Sequence, residues 1–237
     1  MKNIFTLFKK ELSDYFNSPI AYIFIAVFLI VGNWIFFQNF FLIKQANMRG
    51  YFDLLPWFFL FLAPVITMRI WSEEKRSGTI EVLLTLPFKD WEVVLAKFLS
   101  ATAFLMITML LSMSIPITLT RLGNVDMGPI VGGYLGAFLM GATYISIGIF
   151  ISSLTKNQII AFLLAILACF SIFIVSAPFV LQKMSSFATL FKYLGLGSHF
   201  ANIGRGVIDS RDVVYYSSVI FLFLWLNVRS IKSRNWK

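Results

Sequence analysis

The chain has 237 residues, 59% of them hydrophobic and 13% charged, with a formal charge of +9 and a mean hydropathy of +0.82. That composition lies far on the apolar side of a water-soluble domain, and charge-free runs of about twenty residues match the hydrocarbon thickness of a bilayer. The bases fall mostly in short segments between apolar runs, where they act as topology signals, which excludes a nucleic-acid surface; a single cysteine, Cys169, excludes an intrachain disulfide and a thiolate metal cluster.

Residues 1–18 set Lys9, Lys10, Glu11 and Asp14 among Ile4, Leu7, Phe8, Leu12 and Tyr15 at spacings of three and four, which predicts an amphipathic helix along the cytoplasmic membrane surface. No uninterrupted apolar core ending in small residues follows at once, so the segment is expected to be retained and not cleaved as a signal. A first span runs from Pro19 to Ile43, interrupted only by Asn33, Gln38 and Asn39. The second occupies the 15 residues between Asp53 and Arg69, lengthened by Trp71 and a snorkelling Arg69. Phe98 to Thr120 and Met127 to Thr155 carry no charge for 23 and 29 residues and predict spans three and four, joined by a turn at Arg121 to Pro129. Span five follows Lys156 toward Pro178, and span six covers Val213 to Val228.

Thirteen of the 20 Lys and Arg residues then fall on the side of the amino terminus and seven on the other, which predicts both termini in the cytoplasm. Residues 182–212, between spans five and six, mix Leu190, Phe191, Tyr193 and Leu194 with Gly195, Gly197, Gly204 and Gly206. They read as short helical pieces dipping partly into the outer leaflet, a re-entrant segment in which His199 is a polar residue and not a ligand. Gly132, Gly133, Gly136, Gly141 and Gly148 make span four the expected place of close helix approach, either within the protomer or between two copies. Asn33, Gln38, Ser112, Ser114, Thr143, Ser146 and Ser171 are expected to hydrogen-bond between helices or between protomers. No repeat or linker divides the chain, so residues 1–237 form one domain.

Charges concentrate between Arg69 and Lys97. Glu73, Glu74, Lys75 and Arg76 form a polar cluster at a membrane exit, Gly78 permits a sharp turn, and Thr79 can cap a short helix bearing Ile80, Leu83 and Leu84 that Pro87 terminates. Asp90 is the expected N-cap of the next helix, with Glu92 in its first turn. The residues alone leave two readings open: an interfacial connector with solvated charges, or a docking element whose apolar face enters a groove on a soluble partner.

The run from Glu73 to Pro87 resembles the E-[KR]-x-x-G-T-x-E-x-L-L-x-x-P segment that follows the second span of ABC-2 type permeases. The resemblance implies that residues 72–90 are a cytoplasmic coupling segment docking on an ATP-binding subunit. It implies ATPase-coupling roles for Glu73, Glu74, Lys75, Arg76, Gly78, Thr79, Glu81, Leu83, Leu84 and Pro87. Tyr15 to Tyr22 and Leu54-Leu55-Pro56-Trp57 are similar to the permeases of gliding-motility and related export systems. The fold so implied is an all-α membrane protein of about six transmembrane helices, with an amphipathic N-terminal helix, a coupling helix and a re-entrant segment before the last span.

The resemblance further implies a non-catalytic permease subunit of a bacterial inner-membrane complex, driving export or force transmission. Its partners would be a separate ATPase that holds ATP and Mg2+, a second permease, identical or related, and a membrane subunit with an extracytoplasmic domain. This chain itself would bind no cofactor. No Gly is followed by Lys, so the chain lacks a phosphate-cradling G-x-x-x-x-G-K-[ST] loop. The lone His199 excludes multi-histidine metal sites, and no carboxylate pair falls inside a span to serve an aspartyl protease or proton relay. The alternatives are an ATP-independent secondary transporter and a membrane scaffold.

Overall fold

The computed structural model describes residues 2–43, 47–85, 87–123, 125–183, 188–207 and 209–233, and among these every regular element is a helix. In chain order they are α1 (Lys2–Phe16), α2 (Pro19–Ile43), α3 (Arg49–Ser77), α4 (Thr79–Thr85), α5 (Asp90–Leu111) and α6 (Ser114–Leu122). There follow α7 (Met127–Ser152), α8 (Gln158–Ile174), the short α9 (Pro178–Lys183), α10 (Ala188–Leu194) and α11 (Leu196–Ile203), and finally α12 (Ser210–Lys232). Five segments are long and apolar enough to cross a membrane: α2, α3, α5 together with α6, α7 and α12. The expected fifth span, α8, has 17 residues, at the short edge of what a bilayer requires.

Helix α3 differs most from expectation. Instead of a run of 15 residues after Asp53 lengthened through Arg69 to Trp71, it extends over 29 residues, takes in Asp53 at one end and Glu73 to Arg76 at the other, and carries Pro56 and Pro64 in its interior. Its apolar side, including Leu55, Phe59, Ala63 and Ile70, is buried. Span six lengthens similarly to 23 residues, because Asp209 caps the helix by accepting from the Arg211 N–H at 2.9 Å. Helix α5 begins one residue earlier than a cap at Asp90 would place it. Lys89 is the N-cap residue, and the Glu92 carboxylate reaches back to accept its backbone N–H at 3.0 Å.

Span three is broken at Ser112 and Met113. Pro116 has no N–H to offer the Ser112 carbonyl, which accepts instead from the Ile115 N–H at 3.1 Å and from the Tyr134 hydroxyl at 3.1 Å. Of the other polar residues expected to bond between helices, Asn33, Thr143, Ser146 and Ser171 each donate to a carbonyl of their own helix, which satisfies them locally.

Helix α7 lies at the centre, and its glycines are contact points inside the protomer. A Cβ at Gly132 would lie 2.5 Å from the Ile203 carbonyl oxygen, at Gly133 2.4 Å from the Phe52 ring, at Gly141 2.5 Å from Leu105 and at Gly148 2.1 Å from Thr67 Oγ1. The Gly132-x-x-x-Gly136 face is therefore occupied by α11 and is not free for a second copy. Gly206, at φ 88°, turns the chain so that it meets Gly128 and Pro129 at the start of α7. Gly195 meets Ser176, just beyond α8. The short helices thus gather at the end of the bundle where α7 begins, and α8 runs to that end from the end where α7 finishes. Cys169 is buried on α8 as a packing residue.

Candidate functional site

At the other end of the bundle, where α3 finishes and α4 begins, lies an ionic cluster around a buried lysine. Lys97, on the second turn of α5, has a side chain only 2% exposed. Its ammonium donates to Glu11 Oε1 of α1 at 3.0 Å, to Glu74 Oε1 of α3 at 2.6 Å and to the Ile70 carbonyl at 3.4 Å. It also sits 4.9 Å from the centre of the Trp71 ring, within cation–π range. Three donors, three oxygens and an aromatic face account for a charge that would be strongly unfavourable alone at this depth. One lysine thereby ties three helices together.

Helix α1 is held here by more than the ion pair. The Tyr15 ring stacks on Phe104 of α5 with centroids 5.4 Å apart, and its hydroxyl donates to the Ile66 carbonyl of α3 at 3.2 Å. Burial pushes that hydroxyl above the ordinary tyrosine range, which keeps it a neutral donor. Leu7 is buried as well, so α1 is packed against the bundle as an integral element.

The residue after Glu74 grips the opposite side. The Lys75 ammonium donates to the Ser153 carbonyl at the C-terminus of α7, where the helix dipole favours a cation. One residue earlier on α7, the Ser152 hydroxyl accepts from the backbone N–H groups of Trp71 at 3.1 Å and Ser72 at 3.2 Å, and donates to the Met68 carbonyl at 3.0 Å. The Ser153 and Ser230 hydroxyls, 3.0 Å apart, extend the contact to α12. Successive residues on a helix point about 100° apart. Glu74 and Lys75 therefore divide the bundle between them, one toward α1 and α5, the other toward α7 and α12.

Glu73 takes neither direction; it is bound by Arg69 on its own helix through two hydrogen bonds of 2.8 and 3.2 Å. Gly78, at φ 75°, ends α3 in the left-handed conformation, and α4 follows without a linker. The Thr79 hydroxyl lies 2.9 Å from the Ser77 hydroxyl and so does not act as the expected cap. Arg76, Gly78, Thr79, Glu81 and Pro87 are exposed. Ile80, expected on an outward docking face, is buried against the bundle at 5% exposure. The side chains of Leu83 and Leu84, expected on that face, lie outside the described residues.

Sequence reasoning grouped Glu74 and Lys75 with outward-facing coupling residues, whereas both turn inward. It counted Lys97 and Glu11 only as flanking charges. Their separation of 86 residues leaves no local pattern to link them, and the one available signal was a lysine one residue before a long charge-free run. It also missed the partner of His199. At the far end of the bundle, His199 Nδ1 lies 2.6 Å from Asp212 Oδ1 and Nε2 lies 3.0 Å from the Tyr193 carbonyl, with the ring stacked on Tyr215 at 4.0 Å. Among the described residues no cluster of three or more His, Cys, Asp or Glu side chains could hold a metal ion.

A family model described as "ABC-2 family transporter protein" matches residues 37–209, from the later turns of α2 to the cap of α12. No curated protein matches the chain.

Proposed function

Because the chain belongs to the ABC-2 transporter family, it is a component of a membrane transporter, and we propose that it is the membrane-spanning permease subunit of a complex whose ATPase is a separate polypeptide. The observation that carries this reading is the pair Glu74 and Lys75, set just before Gly78 and α4 and joined to helices on both sides of the bundle. A load applied to α4 by a soluble partner passes into the last turn of α3. From there it reaches α1 and α5 through Lys97, and α7 and α12 through Ser152, Ser153 and Ser230.

On this reading α4 is the coupling helix, presenting Arg76, Gly78, Thr79, Glu81 and Pro87 to the ATPase, while Glu74 and Lys75 transmit. ATP and Mg2+ reside in that partner, in keeping with the absence of any Gly-Lys pair in the chain. Helix α8 makes a sixth crossing, since it connects the two ends of the bundle, and the excess of bases on the α4 side supports a cytoplasmic location for both termini in a bacterial inner membrane. A second permease completes the pore-forming pair. The similarity at Tyr15 to Tyr22 and Leu54 to Trp57 supports a gliding-motility or related export branch, and with it a companion membrane subunit bearing an extracytoplasmic domain.

The test uses the full complex extracted in mild detergent. Glu81→Lys and Arg76→Glu alter exposed charges on the docking face and should leave membrane insertion and thermal stability unchanged, while the ATPase no longer co-purifies or loses its stimulated turnover. Unchanged co-purification and turnover in both variants would sink the reading. Gradient-driven flux through the chain reconstituted alone would replace it with a secondary transporter.

A further inference from the structure

Beside the ionic cluster, α1, α2, α3 and α5 line a cavity of about 530 Å³ that opens to the surface at Asp14 and Ile20, within the size range of sites for small organic ligands. Its walls change character in the same direction on α3 and α5. On α3 the lining passes from Val65 and Ile66 to Arg69 and Glu73, and on α5 from Phe104 back to Lys97. On α2, Ile20 and Phe24 continue the apolar wall toward the middle of the bundle. The polar end faces α4, the apolar end faces membrane depth, and a guest that satisfies both is an amphiphile.

Charge decides the head group. Arg69 and Glu73 neutralise each other, and Lys10 and Asp14 contribute one charge of each sign. The Lys97 cluster sets one cation against the two carboxylates of Glu11 and Glu74 and so leaves a net negative wall. Tyr15 and Phe104, stacked on each other, line the same space and add no charge to it. An anionic head would add to the uncompensated charge, and an uncharged one would leave it unanswered.

We propose that this cavity binds an amphiphile with an ammonium head, the head placed beside Glu11 and Glu74 and next to Asp14, and the alkyl chain running between Ile20, Phe24 and Val65. Two sources carry an ammonium head: a soluble alkylamine, and an ethanolamine-type phospholipid of the cytoplasmic leaflet, whose phosphate must stay clear of the Glu11 and Glu74 wall.

The experiment titrates the full chain, with the subunits that accompany it in maltoside detergent, with octylammonium, octanol and octyl sulfate, and follows the thermal unfolding midpoint. Octylammonium should stabilise saturably and the other two should not. Asp14→Asn, at an exposed position outside the ionic cluster, should weaken the octylammonium response roughly fivefold, the scale of one exposed ion pair. Ile20→Trp should fill the chain-binding end and abolish the response. Adding ethanolamine phospholipid, with phosphatidylglycerol as control, separates the sources. Selective competition by the ethanolamine lipid identifies a membrane lipid, and its absence identifies a soluble amine as the guest. Equal stabilisation by octyl sulfate, or titrations unchanged in both variants, would overturn the proposal.

Discussion

Replacing Lys97 with methionine tests the ionic cluster directly, because Met keeps most of the volume and removes the charge. The side chains of Glu11 and Glu74 are only 14% and 20% exposed, and Glu74 Oε2 is already buried without a hydrogen-bond partner. Without Lys97, two carboxylates face each other in a poorly solvated space. Removing one member of a buried pair costs about 3–5 kcal/mol, whereas breaking the exposed Arg69–Glu73 pair costs about 1 kcal/mol or less. For a chain of this size the first corresponds to a fall in unfolding midpoint on the order of 10 °C.

The comparison that isolates charge from packing is the triple variant Lys97→Met, Glu11→Gln, Glu74→Gln, in which no charge is left unpaired. Size-exclusion chromatography after a heating series, on the detergent-solubilised full chain, reads all three species against Arg69→Gln as the exposed control. The single variant should lose its monodisperse peak well below wild type, and the triple variant should recover more than half of the difference. A Lys97→Met protein as stable as Arg69→Gln, or a triple variant no better than the single, would show that the cluster does not hold α1, α3 and α5 together.

Gly148→Ala should destabilise by about 1–3 kcal/mol through overpacking, since its methyl would lie 2.1 Å from Thr67 Oγ1. Adding Thr67→Ala removes that nearest atom and should restore part of the loss in the same heating series; no restoration would place the strain elsewhere. Asp212→Ala strips His199 Nδ1 of its partner in a buried site and should cost about 1–3 kcal/mol. Combined with His199→Phe, which keeps a ring on Tyr215, the two effects should fall short of additive in a double-mutant cycle, and strict additivity would deny the contact.

The parts of the fold that depend on local pattern were readable in advance. Apolar runs without charge located α5 and α7, and Gly78 ahead of a short periodic stretch located α4. Asp53 misled because a charge usually marks a membrane boundary, yet a helix stabilised on its flanks can carry one near its end and continue. The broken third span depended on Pro116, which was visible, and on Tyr134, whose arrival at the freed carbonyl was not. For the candidate site, the stretch from Glu73 to Pro87 was identifiable by its composition and family-like order. Which way each residue faces was not, since Glu73 and Glu74 are chemically identical neighbours separated only by a rotation of about 100°. Long-range partners such as Glu11 with Lys97, and His199 with Asp212, arise only when the helices are stacked.

The serine at the end of α7 has a mechanical implication. Ser152 engages three backbone groups of α3, and one turn earlier Gly148 admits Thr67 into a recess that holds nothing larger. Together they act as a key in a keyway: sliding α3 along α7 by even one residue would forfeit every one of these contacts and drive a side chain into the recess. Shear between the two helices is thereby blocked, while tilting them as one body leaves the contacts intact. On the proposed reading of α4, a stroke delivered there is converted into a rocking of the paired α3 and α7, and the far end of the pair, where Gly132 bears on α11, moves in the opposite sense.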